Sequence, residues 1–197
     1  MEEKKRFVPP HLHVNLEMLD CVYMTTSMFL EIPNLSLNKT IIGKKVINRN
    51  FRKLIEQYDM KGIQFVPQNS RDFIVFAARN LHQSKWQEAY NCICQVKIFG
   101  KLPDFANIKV SLLNKVKECA LKIFLIESQN QYESFSIKIL KEQFKIEEAP
   151  IIKQTSKLIS KGDILAKVDQ EKGVIIFETR GEVGTLPSND RKEMEHL

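Results

Sequence analysis

The sequence of 197 residues predicts a mainly α-helical protein, in which a helical-repeat portion of paired helices is followed by a winged helix with a small antiparallel β-hairpin. Two observations predict this fold class. Apolar residues recur at helical spacing through the first two thirds of the chain. The last quarter then holds a short helical pattern, a second amphipathic pattern and a glycine-closed alternation typical of a hairpin. Winged helices of this order either bind nucleic acid or dock to protein.

The helical-repeat portion begins with two predicted helices. The first has apolar residues at helical spacing through residues 12–29, and it is expected to end near Pro33 because proline has no backbone N–H to donate. The second covers residues 42–58 by the same spacing. Residues 62–67 begin with glycine and end with proline, so they are predicted to form a break.

Three more helices follow in the sequence. Asn69 or Ser70 is placed to cap one of them, and another begins at Lys85 after a short polar connection. The connection is short enough for these two helices to form an antiparallel hairpin, with Trp86 largely buried between them. A long helix over residues 108–124 is then expected to lead directly into the winged helix.

The winged helix is predicted residue by residue. Ser136 caps the short helix, Pro150 lies in the first turn of the second helix, and Gly162 ends that helix in a left-handed conformation. Gly173 closes the turn between the two strands. The positions expected on the apolar faces of the two helices and the first strand are Ile137, Leu140, Phe144, Ile151, Ile152, Thr155, Leu158, Ile159, Ile164, Ala166 and Val168.

Composition limits the class of protein and its domain organisation. The chain has 43% hydrophobic residues, seven glycines and seven prolines, and no apolar run that approaches 18 residues, which excludes collagen-like, disordered and membrane-spanning classes. The predicted domains are residues 1–130 for the helical-repeat portion, 131–180 for the winged helix and 181–197 for a polar, flexible tail. The charged opening MEEKKRFVPP is interpreted as the edge of a longer protein rather than a targeting peptide, and a cytoplasmic location is expected.

The net charge of +6 is unevenly distributed. Residues 38–61 contain seven basic residues and two acidic ones, whereas residues 131–180 contain nine basic and eight acidic ones. A protein that reads DNA through its winged helix would show the opposite distribution. Phosphate contacts remain an alternative, and the candidate nucleic-acid contacts are Lys44, Lys45, Arg49, Arg52 and Lys53 in the first region and Lys153, Lys157 and Lys161 on the second winged helix. A solvated face is the simpler interpretation of the last three lysines, which recur every four residues.

No arrangement of residues indicates catalysis. His11 and His13 have no third ligand nearby, and Cys92 and Cys94 form a C-x-C pair without a second pair, so no metal site is expected. The four cysteines are interpreted as free thiols. The phosphate-binding, dinucleotide-binding, nucleophile-elbow and zinc-protease motifs are all absent from the sequence. The chain is therefore predicted not to be an enzyme and to need no cofactor.

Three blocks of sequence resemble a known family. They are VPPHLHVNLEMLDCVYMTTSMFLEIP at residues 8–33, SKWQEAYNCIC at residues 84–94 and FSIKILKEQFKIEEAPIIKQTSKLISKGDILAKVDQ at residues 135–170. These blocks resemble the C-terminal PCI domain found in the C subunit of eukaryotic translation initiation factor 3. PCI domains also occur in the proteasome lid and the COP9 signalosome, and they join helical pairs to a winged helix.

The resemblance implies a function as well as a fold. It implies a non-enzymatic assembly module that binds other PCI subunits of initiation factor 3, largely through winged helices, and contributes to small ribosomal subunit recruitment. The alternative is the same fold acting as a direct binder of ribosomal or messenger RNA phosphates. Neither interpretation implies a membrane partner.

Overall fold

The computed structural model describes residues 15–40, 45–60 and 67–178, with side chains described from residue 15 except those of residues 38–40. It confirms the predicted fold class, because most described residues are helical and one small antiparallel sheet is present. The helices are α1 (Leu16–Thr40), α2 (Arg49–Met60), α3 (Ser70–His82), α4 (Trp86–Cys94), α5 (Phe105–Ser128), α6 (Ile137–Phe144) and α7 (Glu148–Ser160). The strands are β1 (Ser134–Ser136), β2 (Ala166–Asp169) and β3 (Val174–Phe177), and a 3-10 turn covers Lys97–Lys101.

The chain divides into two compact units. The first unit lies within residues 1–34 and 45–116, and the second lies within residues 35–44 and 117–197. Helices α1 and α5 each contribute residues to both units. The domain limits predicted at residues 130 and 180 stay predictions, and the tail at 181–197 lies outside the described residues.

Helix α1 does not end near Pro33, as the sequence predicted, but continues to Thr40. Beyond the proline, Ser36 and Leu37 are buried, and the Ser36 hydroxyl donates a hydrogen bond of 3.2 Å to the Glu127 carboxylate. This packing offsets the backbone hydrogen bond that proline cannot donate. The predicted ending was therefore wrong because a distant contact stabilises the last turns.

Helix α2 begins later than the predicted residue 42, and residues 41–44 lie outside the described part of the chain. The Asn48 side-chain oxygen accepts the backbone N–H of Phe51 at 3.0 Å, which is the geometry of a helix N-cap. Asn48 thus fixes the start of the helix at Arg49, and Phe51 is fully buried behind it.

Helices α3 and α4 follow each other through a short connection, as predicted, and contact each other extensively. Asn69 precedes α3, and the Asp72 carboxylate accepts the backbone N–H groups of Gln68 and Asn69 at 3.1 and 2.9 Å, as in a capping box. Trp86 is half-buried rather than largely buried, because it occupies the first position of α4. The fully buried residues of the pair are Ile74, Val75, Ala77, Ala78, Leu81, Ala89 and Ile93.

Within the described residues, the sheet of the second unit has three strands, whereas the sequence predicted only a two-stranded hairpin. The strand order is β1-β3-β2, and both pairings are antiparallel. The third strand was not predicted because three residues are too few to show alternation. Phe135 of β1 pairs with Ile175 of β3, and its ring makes an edge-to-face contact with Phe124, with centroids 5.1 Å apart. Phe124 also meets the fully buried Phe144 of α6 at 5.6 Å, so aromatic rings join α5, α6 and the sheet.

The predicted turn positions of the winged helix are confirmed. Gly162 follows α7 with a φ of +68°, and Gly173 between β2 and β3 has a φ of +65°. Both values lie in the left-handed region that glycine adopts without steric cost. Pro150 lies in the first turn of α7, where its missing N–H costs no helical hydrogen bond.

Candidate functional site

The first candidate surface is the α2 basic cluster, which we define as Lys44, Lys45, Arg49, Arg52 and Lys53. Lys44 lies outside the described residues, and Lys45, Arg49 and Lys53 are exposed. Arg49 and Lys53 are four residues apart on α2, so they occupy the same side of the helix. Three exposed cations therefore remain on this surface as candidates for phosphate contacts.

Arg52 differs from the other members of the α2 basic cluster because it forms an ion pair with a buried carboxylate. Its Nη2 atom lies 3.0 Å from Oε1 of Glu31, whose side chain is fully buried. The other carboxylate oxygen of Glu31 accepts the backbone N–H groups of Ile47 and Asn48, each at 3.0 Å. The charge of Arg52 thus compensates the buried charge of Glu31. The two hydrogen bonds from Ile47 and Asn48 to Glu31 fix the backbone that leads into α2.

Asn48 extends this polar contact toward α1. Its side-chain amide donates to the Tyr23 hydroxyl at 2.8 Å and to the Ser27 hydroxyl at 2.6 Å. Sequence reasoning missed Glu31, although a single acidic residue between Leu30 and Ile32 was a visible signal. A buried acid within an apolar helix is rarely tolerated unless a distant residue pairs with it.

The second candidate surface is the α7 lysine row, which we define as Lys153, Lys157 and Lys161. All three side chains are exposed, and their spacing of four residues places them on one side of the helix and its C-cap. Among the described residues, none of the three forms an ion pair. The row is therefore available to an anionic partner.

Gln154, the one neighbour of this row with a side chain suited to reading a base edge, is already bonded. Its amide nitrogen donates a hydrogen bond of 3.0 Å to the backbone carbonyl of Glu118 on α5. A second bond between the same regions joins Lys117 Nζ to the carbonyl of Lys145 at 2.9 Å. These bonds hold α5 against α7 and against the α6–α7 connection.

A groove of about 510 Å³ lies beside the α7 lysine row. Its floor includes Leu121 of α5, and its walls include Ile146 and Ala149. Lys153 and Lys157 line the groove, whereas Lys161 does not. The groove thus combines apolar contacts with two cations from one side of α7.

The third candidate surface is the wing edge, which we define as the open side of β2 and the exposed side chain of Ile176. The backbone carbonyl of Leu165 accepts the backbone N–H of Glu178 at 2.9 Å. Successive residues of an antiparallel strand direct their backbone groups alternately toward and away from the neighbouring strand, so those of Ala166 and Val168 point away from β3. Ile176 is 42% exposed on the central strand. Beside it, Lys167 forms an ion pair of 2.6 Å with Glu178.

The described residues show no group of side chains arranged to hold a metal ion. Burial raises the pKa of the Cys21 and Cys92 thiols, so neither is activated as a nucleophile. His11 and His13 lie outside the described part of the chain. No helix in residues 15–40, 45–60 or 67–178 has the length and apolar character needed to cross a membrane.

Comparison with known proteins places two family matches along the chain. Residues 1–41 match the family described as eukaryotic translation initiation factor 3 subunit 8 N-terminus, and residues 90–179 match the PCI domain family. The second match covers α5, the winged helix and most of α4.

Individual relatives agree with these matches. The C subunit of eukaryotic translation initiation factor 3 from Pyricularia oryzae is 34% identical over 188 residues, which cover 94% of this chain and 22% of the relative. The same protein of Schizosaccharomyces pombe is 35% identical over 189 residues, which cover 94% of this chain and 20% of the relative. The chain thus spans about a fifth of the length of the relatives it matches.

The matches correct one part of the resemblance drawn from the sequence. The chain is not similar to the C-terminal PCI domain alone, because its first 41 residues match a family described as the N-terminus of a subunit of the same factor. The similarity to the C subunit and to the PCI domain is confirmed.

Proposed function

We propose that this chain is a non-enzymatic assembly module of cytoplasmic translation initiation factor 3, which binds other PCI subunits of the complex through its winged helix and contributes to small ribosomal subunit recruitment. The similarity to the C subunit of this factor supports a place in the initiation factor 3 complex, and the match to the PCI domain family supports binding to other PCI subunits. The observation that carries the proposal is the wing edge, because it offers backbone donors and acceptors beside an exposed apolar side chain.

A partner strand that pairs with β2 satisfies the outward backbone groups of Ala166 and Val168. Ile176 then provides apolar contact area on the adjacent strand, where its side chain is 42% exposed. This type of contact is driven by backbone pairing and apolar burial, so its affinity depends weakly on salt.

The test replaces Ile176 with aspartate and measures binding to each purified PCI subunit of the same complex by calorimetry. We expect the Ile176→Asp variant to lose binding to one of them, because a carboxylate in a closed apolar contact costs several kcal/mol. Ile139→Asp is the matched control, since Ile139 is 53% exposed in the same unit but lies on α6. Unchanged binding by the Ile176→Asp variant would reject the wing edge as the docking surface.

Direct RNA binding is the second candidate function, and the exposed α7 lysine row and α2 basic cluster favour it. Lys153, Lys157, Arg49 and Lys53 are all exposed, and phosphate groups bind such cations without any particular sequence. Arg52 is a poor member of this set, because reversing its charge would also disrupt the buried Glu31 pair.

Filter binding to small-subunit RNA at two salt concentrations separates the two functions. We expect weak binding that decreases steeply with salt, and we expect the Arg49→Glu and Lys53→Glu pair to reduce it more than the Lys153→Glu and Lys157→Glu pair. The first pair lies in the more basic region of the sequence. Tight binding that resists salt and depends on the two α7 lysines would make RNA recognition the main function.

A further inference from the structure

We propose that the groove between α5 and α7 binds an acidic segment of another protein, with an apolar side chain placed in the groove and carboxylates placed on Lys153 and Lys157. This site is separate from the wing edge and involves different residues, so it does not depend on the proposed function. Three features support it: the shape of the groove, its charges and the hydrogen bond that fixes one of its walls.

The groove has an apolar interior that fits a side chain rather than a phosphate. Leu121 is 1% exposed, and Ile146 is half-buried beside the exposed Ala149. The volume of about 510 Å³ is several times that of a single apolar side chain, so a short segment of chain fits within it. An apolar anchor placed there gains the free energy of leaving water.

The cations beside the groove determine the charge of the occupant. Lys153 and Lys157 lie one helical turn apart and both line the groove, so carboxylates about one turn apart on a partner match them. Within the described residues these two lysines have no ion-pair partner. An acidic partner therefore forms new pairs without breaking old ones.

The apolar part of the lining favours a protein segment over RNA in this groove. Leu121, Ile146 and Ala149 offer a surface for an apolar side chain, which a sugar-phosphate backbone lacks. Phosphates on Lys153 and Lys157 would leave that surface in water, whereas a segment with an apolar anchor and few carboxylates contacts both parts of the lining. The Gln154 side-chain amide donates to the Glu118 backbone carbonyl at 3.0 Å and so fixes α7 against α5 along one side of the groove.

The experiment selects short random peptides displayed on phage against the immobilised chain of 197 residues. We expect the enriched peptides to combine a leucine, isoleucine or phenylalanine with nearby aspartate or glutamate residues. A synthetic peptide from this selection should bind about tenfold more weakly to the Lys153→Glu and Lys157→Glu double variant. Ala149→Trp should also reduce binding, because the larger side chain occupies the groove.

Lys161→Glu is the matched control, because Lys161 belongs to the same lysine row but does not line the groove. We expect this variant to bind the peptide like the unaltered chain, and thermal unfolding confirms that each variant is folded. Enrichment of no peptides, or of basic or uncharged ones, would overturn the proposal. Equal loss of oligouridine binding on reversal of each of the three lysines, without an acidic peptide, would assign the row to RNA instead.

Discussion

Each of the two units of this chain is stabilised internally by a different chemistry, one ionic and one aromatic. In the first unit, α1 holds the start of α2 through a buried carboxylate, with Glu31 in an ion pair with Arg52 and accepting hydrogen bonds from two backbone N–H groups. In the second unit, α5 holds α6 and the sheet through aromatic rings, with Phe124 in edge-to-face contact with Phe135 and Phe144. The first contact depends on one ion pair and two hydrogen bonds, and the second on shared apolar area.

The difference explains which surfaces are available for binding. Because the first unit uses Arg52 to neutralise Glu31, one cation of the α2 basic cluster is committed to the fold. In the second unit the stabilising contacts are made by aromatic rings and involve no member of the α7 lysine row. Lys153 and Lys157 are exposed. A count of positive charges in the sequence therefore overstates the binding surface of the first region.

The largest effect is expected from Glu31→Ala. The substitution leaves the Arg52 charge without its buried partner and two backbone N–H groups without an acceptor, so we expect a loss of about 3–5 kcal/mol in the free energy of unfolding. Chemical denaturation measures this loss. The control is Asp59→Ala, which removes the exposed pair with Arg79 and should cost about 0–1 kcal/mol. Similar small losses in both variants would show that the Glu31 contact does not stabilise the unit.

A cavity in the aromatic core of the second unit tests the other half of the comparison. Phe144→Ala removes a fully buried ring, and we expect the free energy of unfolding to fall by about 3–5 kcal/mol. Phe144→Leu keeps most of the volume and should cost less. If the two variants were equally destabilised, loss of the ring contact rather than loss of volume would dominate.

A smaller loss of stability is expected from a substitution at Gly162, which has a left-handed backbone conformation. Gly162→Ala should reduce the free energy of unfolding by about 1–2 kcal/mol, because its φ of +68° is unfavourable for a residue with a Cβ atom. The space around Gly162 is open, so the cost comes from the backbone alone. Gly100→Ala is the matched control, since Gly100 has equally open space without a positive φ and should change stability by less than about 0.5 kcal/mol. Thermal unfolding of both variants separates conformation from crowding.

The smallest effect is expected from Asp72→Asn, which weakens the cap of α3 by about 1 kcal/mol. Burial raises the pKa of the Asp72 carboxyl, but hydrogen bonds from Tyr58, Asn69 and Gln68 outweigh it and hold the pKa below its ordinary value of 3.8. The stabilisation is therefore fully present above pH 3.8 and is lost as the pH falls through the lower pKa of the folded state. Denaturation at several acidic pH values should show a weaker pH dependence in the variant.

Tyr58 supplies an independent measurement for the same variant. Its pKa is raised to about 12, first by burial and then by its hydrogen bond to Asp72. Loss of the Asp72 charge should lower this pKa, which the absorbance of the phenolate reports during alkaline titration. An unchanged tyrosine titration would contradict the hydrogen bond between these two side chains.

Local patterns predicted the winged helix better than they predicted the first unit. Gly162, Gly173 and Pro150 each act through their own backbone, so the sequence alone indicates their roles. Glu31 and Pro33 depend on residues far along the chain, and no spacing rule identifies such partners. The α7 lysine row was predicted from its spacing, whereas the groove beside it was not, because it requires the position of Leu121 on α5.

The position of β1 in the sequence also predicts the order in which the strands of the sheet pair during folding. β2 and β3 are joined by a single tight turn, whereas β1 pairs with residues about 40 positions further along the chain. Since closing a long loop costs more entropy than closing a short one, the hairpin should form before β1 joins it. Until then one side of β3 is unpaired, and another molecule can add a strand there. Refolding at high protein concentration should therefore yield intermolecular species that refolding at low concentration avoids.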